Sequence, residues 1–254
     1  MRATLLSPIL AAGLLAQPVS AHFLEIIPSR DVLPEGGAVD LSLVFTHPFD
    51  GGPVMRMERP ARFGMVRDGE RIDLSDQLRE APVDGVLAWA ARVELDEPGP
   101  AVFFVEPQPY WEPAEGKFIV HYAKVLVDSY ATGEGWDTEA GLPVEIRPLT
   151  RPTGLWAGNS FQGIVTKAGE PVPFAEVEVE FINADKVAAP NDAFVTQVTR
   201  ADGNGVFTYT MPRAGWWGFA ALLEGDAPMT SPEGASVPVE EGALIWVQAV
   251  GMDG

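Results

Sequence analysis

The side chains of this 254-residue chain that are best suited to metal chemistry are its three histidines, His22, His47 and His121. Because the chain contains no cysteine, a metal site must use nitrogen and oxygen ligands. Imidazole is the commonest metal-binding side chain, and a nitrogen-rich site selects borderline ions such as Ni²⁺, Co²⁺, Cu²⁺ or Zn²⁺. The first hypothesis is therefore a metal site formed by these three residues.

His22 stands directly behind a predicted cleavage site, in the stretch "QPVSAHFLEI". Arg2, the apolar run "LLSPILAAGLLA" and the small residues Val19 and Ala21 together predict that residues 1–21 are a secretory signal peptide. That run is shorter than the roughly 20 apolar residues that a membrane helix needs. Cleavage after Ala21 would give His22 a free α-amino group with a pKa of about 8, which can close a chelate ring with its own imidazole. The mature protein is expected to be exported and not inserted in a membrane.

The elements that must position the histidines are β-strands. Short runs such as "AVDLSLVF", "KFIVHYAKVLVD", "AEVEVEFI" and "ALIWVQAV" alternate between apolar and polar residues and are bounded by turn residues. The 26 glycines and 23 prolines suit many turns and few helices. This pattern predicts an all-β protein built of antiparallel sandwiches.

Strand parity places all three histidines on inward-looking faces, because alternate residues of a strand share a face. His22 alternates with Leu24, His47 with Phe45, and His121 with Ile119. Taken singly, each is more often an ordinary buried histidine than a ligand. Three on apolar faces of one domain, one of them at the predicted mature terminus, favour the metal site.

The chain divides at "EIRPLTRPTGLWAGNSF", which has no periodic pattern. We predict a metal-binding, immunoglobulin-like sandwich over residues 22–148 and a second sandwich over residues 149–254. The second half reads strand, Gly-Glu-Pro turn, strand, Asp-Gly-Asn-Gly turn, strand. That order resembles small transthyretin-like and carboxypeptidase-regulatory modules, which implies a structural role for the second domain.

Four other residues are weaker candidates for the site. Met55 and Met57 could supply thioether ligands to a soft metal, although methionines at this spacing more often pack in a core. Glu106 or Glu115, near the His121 strand, could serve as a ligand or accept a hydrogen bond from an imidazole N–H.

The formal charge is −19, and loss of residues 1–21 would make it −20 by removing Arg2. Such a surface repels nucleic acid and anionic lipid and attracts cations. Ser160, in "GNSFQG", lacks the spacing of a serine hydrolase, and no glycine-rich loop precedes a helix. These observations favour a binding protein over an enzyme.

Several segments, among them "AHFLEIIPS", "FTHPFDGGPVMRMERPARFGM" and "EPQPYWEPAEGKFIVHYAKVLVD", resemble the periplasmic components of nickel/cobalt ABC-type transport systems that accompany energy-coupling-factor importers. The resemblance covers nearly the whole mature chain. It implies a periplasmic protein that binds Ni²⁺ or Co²⁺ through His22, His47 and His121 and supplies the ion to membrane components of an importer. The choice of nickel rests on the resemblance alone.

Two other functions compete with this one. An N-terminal histidine beside a second histidine on a sandwich also resembles the copper site of polysaccharide monooxygenases, which requires an open coordination position that a third histidine would fill. The other alternative is a structural two-sandwich protein without a metal, which gives no account of where the histidines lie. The oligomeric state is open.

Overall fold

The computed structural model describes residues 22–252, so the predicted signal peptide lies outside the described residues. Within that range the regular structure is β-strand apart from two short 3-10 helices, Ser75–Gln77 and Asp192–Phe194. The prediction of an all-β sandwich protein is confirmed. In the described range, no helix is long and apolar enough to cross a membrane.

Twenty-one strands occur in the described residues. They are β1 (Phe23–Pro28), β2 (Val32–Leu33), β3 (Gly37–Thr46), β4 (Arg62–Arg67), β5 (Glu70–Asp73), β6 (Arg79–Glu80), β7 (Trp89–Leu95), β8 (Gly99–Glu106), β9 (Tyr110–Glu112), β10 (Lys117–Ser129), β11 (Val144–Pro148), β12 (Leu155–Trp156), β13 (Ser160–Lys167), β14 (Glu170–Pro171), β15 (Glu176–Phe181), β16 (Gln197–Arg200), β17 (Val206–Thr210), β18 (Gly215–Glu224), β19 (Met229–Thr230), β20 (Ser236–Val237) and β21 (Val239–Val250).

The first sandwich packs a four-stranded sheet, in the order β1-β3-β7-β6, against the β10-β8-β4-β5 part of an 11-stranded sheet. Their inward faces alternate as the sequence predicts, and Phe23, Leu43, Phe63 and Phe103 are completely buried between them. β1 and β3 are antiparallel, with Phe23 opposite Thr46. This pairing brings the start of β1 and the end of β3 to the same end of the sandwich.

The second sandwich packs β11, β13, β14 and β17 against the remaining part of the same 11-stranded sheet, in the order β16-β15-β18-β21. The two halves join where β21 pairs in parallel with β10, placing Gly242 opposite His121. Leu244 and Trp246 of β21 belong to the first core, whereas Ile245 and Val247 belong to the second. One strand therefore contributes to both cores.

The region around the predicted domain boundary links the two sandwiches. β11 precedes that boundary in sequence, yet it pairs with β13 of the second sandwich, with Ile146 opposite Val165. The buried side chain of Lys124, on β10, donates to Glu145 on β11 at 2.5 Å. The two sandwiches thus share a sheet and a buried ion pair.

Candidate metal site

His22 and His47 lie side by side at one end of the first sandwich. His22 immediately precedes β1 and His47 immediately follows β3, so continuing the Phe23–Thr46 register by one position sets them opposite each other. Their ring centroids are 4.7 Å apart and the rings are inclined by 53°. Two imidazoles bound to one ion at about 2.0–2.1 Å and adjacent in its coordination shell have centroids roughly 4.5–5 Å apart. The spacing of this pair is of that size.

Glu112 determines which nitrogen of His22 is available to a metal. Its Oε2 lies 3.1 Å from His22 Nε2, and its Oε1 accepts the backbone N–H of Ala114 at 2.9 Å. Carboxylates that accept one ring N–H fix the tautomer of a ligating imidazole and orient it. This contact leaves Nδ1 of His22 available to a metal, and Nδ1 is the ring nitrogen nearest to the residue's own backbone nitrogen.

His22 has a lowered pKa. Burial is the largest cause, and repulsion from His47 adds to it, whereas the Glu112 carboxylate acts in the opposite direction. A lowered pKa keeps the imidazole neutral at neutral pH, and only the neutral ring can coordinate a metal. The side chain is 12% exposed, so an ion bound there would be largely shielded from solvent.

His121 lies near this pair but not within it. It is 2% exposed, as its predicted inward face requires, and His47 is likewise buried. The ring of Phe45 contacts both His22 and His121, with centroid distances of 5.7 and 5.9 Å. Within residues 22–252, no three His, Asp or Glu side chains are grouped so that they could hold a metal ion. The structure brings two of the three predicted ligands together, and the three-histidine set stays a prediction.

His121 is held by a second carboxylate. Its Nε2 lies 3.2 Å from Glu240 Oε1, and Lys117 donates to Glu240 Oε2 at 2.6 Å. Burial disfavours the charged form of Glu240, but the hydrogen bonds from His121 and Lys117 outweigh it and lower the pKa of this carboxyl to about 2. Glu240 is therefore an ionised acceptor for the ring N–H at Nε2 of His121.

The carboxylates that hold the histidines are not those named from sequence. Glu106 instead pairs with Arg71 at 2.7 Å, and Glu115 pairs with Lys117 at 2.6 Å. The β9–β10 hairpin sets Glu112 opposite Lys117, on the face that His121 occupies, so reading the hairpin would have found Glu112. No local signal identifies Glu240, which comes from a strand 119 residues away.

The two candidate methionines lie in the first core. Met55 is 7% exposed and Met57 is 5% exposed. The backbone carbonyl of Met57 accepts the indole N–H of Trp89 at 2.9 Å. Met55 and Met57 therefore pack in the core, as methionines at this spacing usually do.

Two solved structures illustrate what this chain is similar to at low identity and low TM-score. An adhesin of Yersinia pseudotuberculosis, InvE, is 14% identical with a TM-score of 0.25, and the similarity covers 86% of this chain and 58% of that one. A two-domain fibronectin type III segment of chicken tenascin is 11% identical with a TM-score of 0.25, and the similarity covers 90% of this chain and 100% of that one. Similarity at this level says nothing about what this chain binds.

No curated protein of known function matches the sequence. One family profile does, that of DUF4198, described as a domain of unknown function, and the match spans residues 19–225. Because this match covers most of the chain, including all three histidines, the chain belongs to the DUF4198 family.

Proposed function

We propose that this protein is a periplasmic binding protein for a divalent transition-metal ion, held by His22 and His47. The observation that carries the proposal is the pair of imidazoles 4.7 Å apart, one of them fixed by a carboxylate through Nε2. Two imidazoles in contact, with one oriented by a carboxylate, form an arrangement that transition-metal sites use. In this proposal the histidine pair binds the ion and takes no part in catalysis. The ion is the cargo that the protein carries.

The third ligand in this proposal is the α-amino group of His22. Removal of residues 1–21, which is a prediction from the sequence, would convert the backbone amide of His22 into an amine. That amine and Nδ1 of the same residue would chelate the ion, and His47 would complete a set of three nitrogens. The predicted role of His121 as a further ligand would require a shift of its ring toward the pair.

The resemblance to periplasmic nickel/cobalt transport components supplies the choice of ion and partner. On that basis the cargo is Ni²⁺ or Co²⁺ and the receiving protein is a membrane importer. A site at a strand end, with one ligand at the chain terminus, suits a carrier because the terminal residue can leave the ion first. The strongly acidic surface favours cations in general.

One observation favours a copper site as the second candidate. His121 is bound to Glu240 and stands apart from the pair, so two imidazoles and an amine would leave a coordination position open. This is the donor set that the resemblance to the copper monooxygenases implies. Copper(II) also binds nitrogen ligands more tightly than nickel or cobalt does.

Calorimetric titration of Ni²⁺, Co²⁺, Cu²⁺ and Zn²⁺ into protein that begins at His22 tests the proposal. We expect binding of one ion per chain, weakened roughly tenfold or more in His47→Ala and in protein carrying one extra alanine before His22. His121→Ala tests the third predicted histidine: unchanged affinity leaves His22 and His47 as the imidazole ligands, whereas a similar loss adds His121 to the set. Failure of all four ions to bind the protein that begins at His22 would refute the proposal. Because copper(II) binds nitrogen ligands more tightly than nickel whichever ion is the cargo, the metal content of protein purified from its native cells decides between the two.

A further inference from the structure

The segment that follows His47 leaves the first sandwich and is anchored in the second. β3 ends at Thr46, so His47 is the first residue beyond the ladder with β1. Two residues later, Phe49 is buried in the second core, where its ring centroid lies 5.4 Å from that of Phe181 and the rings are inclined by 81°. Among the described residues, every other buried member of that core comes from position 144 or later. Phe49 therefore links the end of β3 to the other sandwich.

Hydrogen bonds tie the backbone of this segment to the second sandwich as well. Oε2 of Glu180, on β15, accepts the backbone N–H of Phe49 at 3.1 Å, and Oε1 of Glu180 accepts the hydroxyl of Thr196. The carbonyl of Pro48 accepts the backbone N–H of Asn183 at 3.3 Å. The side chain of Glu180 is 1% exposed, so water has little access to replace it as the acceptor. Removing a buried partner of this kind is costly because it leaves a donor unpaired.

These anchors act on His47 because they begin at the next residue of the chain. A proline disfavours helical backbone angles for the residue before it, and here that residue is His47. The carbonyl of His47 also accepts the backbone N–H of Gly51 at 2.9 Å, which closes the turn that contains Phe49. His47 is thus held on one side by the β1–β3 ladder and on the other by a turn fixed to the second sandwich. Such support matters, since the ligands of a site must be held within about 0.5 Å of their productive positions.

We propose that the second sandwich positions His47 for ion binding, with Phe49 as the anchor and Glu180 as the residue that fixes the backbone of Phe49. This rests on the proposed function, because His47 is one of its two imidazole ligands. It goes further by giving the second sandwich a part in ion affinity. Glu180 and Phe49 are positioning residues, and neither contacts the ion.

Calorimetric titration of Ni²⁺ into protein that begins at His22 tests this role through a double-mutant cycle. Glu180→Leu removes the acceptor for the N–H of Phe49 and should weaken binding roughly tenfold, whereas Glu180→Gln keeps a side-chain oxygen and should retain most of the affinity. In His47→Ala, Glu180→Leu should cause no further loss, because the residue that it positions is absent. Equal losses with and without His47, or no loss in Glu180→Leu alone, would overturn the proposal. If His47→Ala binds no measurable Ni²⁺, the ring contact described below decides.

Phe49→Leu tests the anchor, and Phe207→Leu is its matched control. Both changes remove an aromatic ring from the second core, but Phe207 lies on β17 and contacts Phe161 and Phe219. Urea unfolding measures the stability that each variant loses. We expect only Phe49→Leu to weaken Ni²⁺ binding. Equal weakening in the two variants would mean that the second core has a merely structural role, which would overturn the proposal.

A measurement without the ion separates this proposal from the proposed function. In protein with isotope-labelled histidine, the rings of His22 and His47 should give a nuclear Overhauser contact, since their centroids are 4.7 Å apart. The contact should persist in Glu180→Gln and Phe207→Leu and weaken in Glu180→Leu and Phe49→Leu. This pattern without any Ni²⁺ binding would refute the proposed function alone, whereas an unchanged contact in all four variants would overturn the positioning role. Thermal unfolding checks that each variant is folded, and Phe49→Leu carries the test if Glu180→Leu is not.

Discussion

Gly242 lies directly against the imidazole of His121 across the parallel β10–β21 pair. A Cβ atom at position 242 would come within 2.3 Å of His121 Cδ2 and 2.8 Å of Nε2. The ring can therefore lie over β21 and reach Glu240 only because residue 242 has no side chain. The joint between the two sandwiches and the orientation of His121 depend on the same glycine.

Gly242→Ala should therefore destabilise the protein. Forcing a methyl group into this contact is an overpacking change, which typically costs about 1–3 kcal/mol. Urea unfolding of the variant and of Gly251→Ala measures the difference, since a Cβ at position 251 meets nothing within 4 Å. Equal free energies of unfolding for the two variants would show that His121 moves aside without cost.

The sequence predicts much of this fold because the strands alternate. The inward orientation of His47 and His121 follows from parity along their own strands, and the structure shows both buried. The proximity of His22 and His47 also follows once β1 and β3 are paired, since the two residues flank that ladder.

The joint between the sandwiches and the role of Glu240 could not be predicted in this way. The parallel pairing of β10 with β21 brings together residues about 120 positions apart, and nothing local in either strand specifies that partner. The apolar residues of β21 on both faces indicate burial on both sides, but they do not indicate which cores they enter. The alternation of residues along each strand therefore does not predict the contact between Glu240 and His121.

The buried pair of Lys124 and Glu145 should be important for stability. Lys124 is 2% exposed, and Glu145 also accepts the backbone N–H groups of Ala140 at 2.7 Å and Gly141 at 2.9 Å. Breaking a buried pair by removing one partner typically costs about 3–5 kcal/mol, because the other charge stays buried. We expect Lys124→Met to lose stability of this order in urea unfolding, and the exposed Lys186→Met to lose almost none. A loss for Lys124→Met as small as that of the control would contradict this role.

Stability should fall as the pH rises, because Glu180 is buried and Glu25, on β1, is partly buried. Burial, and then repulsion from Glu180, raise the pKa of Glu25 to about 8. Burial likewise raises that of Glu180 to about 7. The ordinary pKa of a glutamate side chain is 4.5. Between pH 4.5 and these raised pKa values, the folded protein therefore binds more protons than the unfolded chain. The free energy contributed by these groups is therefore favourable at low pH and is lost as the pH rises through their folded pKa values.

Urea unfolding at about pH 5 and about pH 8 measures this slope, which follows from the difference in bound protons. Glu25→Gln cannot ionise, so its stability should fall less than that of the unmodified protein between the two pH values. The exposed Glu233→Gln serves as the control and should follow the unmodified protein. A Glu25→Gln variant with an unchanged slope would show that Glu25 is not the group responsible.

The pKa of His22 should lie below its ordinary value of 6.5, for the reasons of burial and repulsion from His47 given above. Nuclear magnetic resonance titration of the imidazole signals measures it directly. Because protons compete with the ion for the terminal amine, whose ordinary pKa is about 8, affinity should decline as the pH falls below about 8, and protonation of the His22 ring should add to that decline only below its own lowered pKa. In His47→Gln the repulsion is absent, so the pKa of His22 should rise. A pKa of 6.5 or more in the unmodified protein would contradict this account of the site.

Glu112 should control metal affinity without touching the ion. In the proposed site it accepts the proton of His22 Nε2 and so keeps Nδ1 free beside the terminal amine. Loss of such a partner typically lowers metal affinity about 10–100-fold. We expect Glu112→Leu to show a loss in this range and Glu112→Gln, which retains an acceptor oxygen, a smaller one. Glu115→Gln is the matched control, because that carboxylate pairs with Lys117 and not with a histidine. Equal affinities in all three variants would mean that the ion does not use Nδ1 of His22, and the chelate with the terminal amine would fail with it.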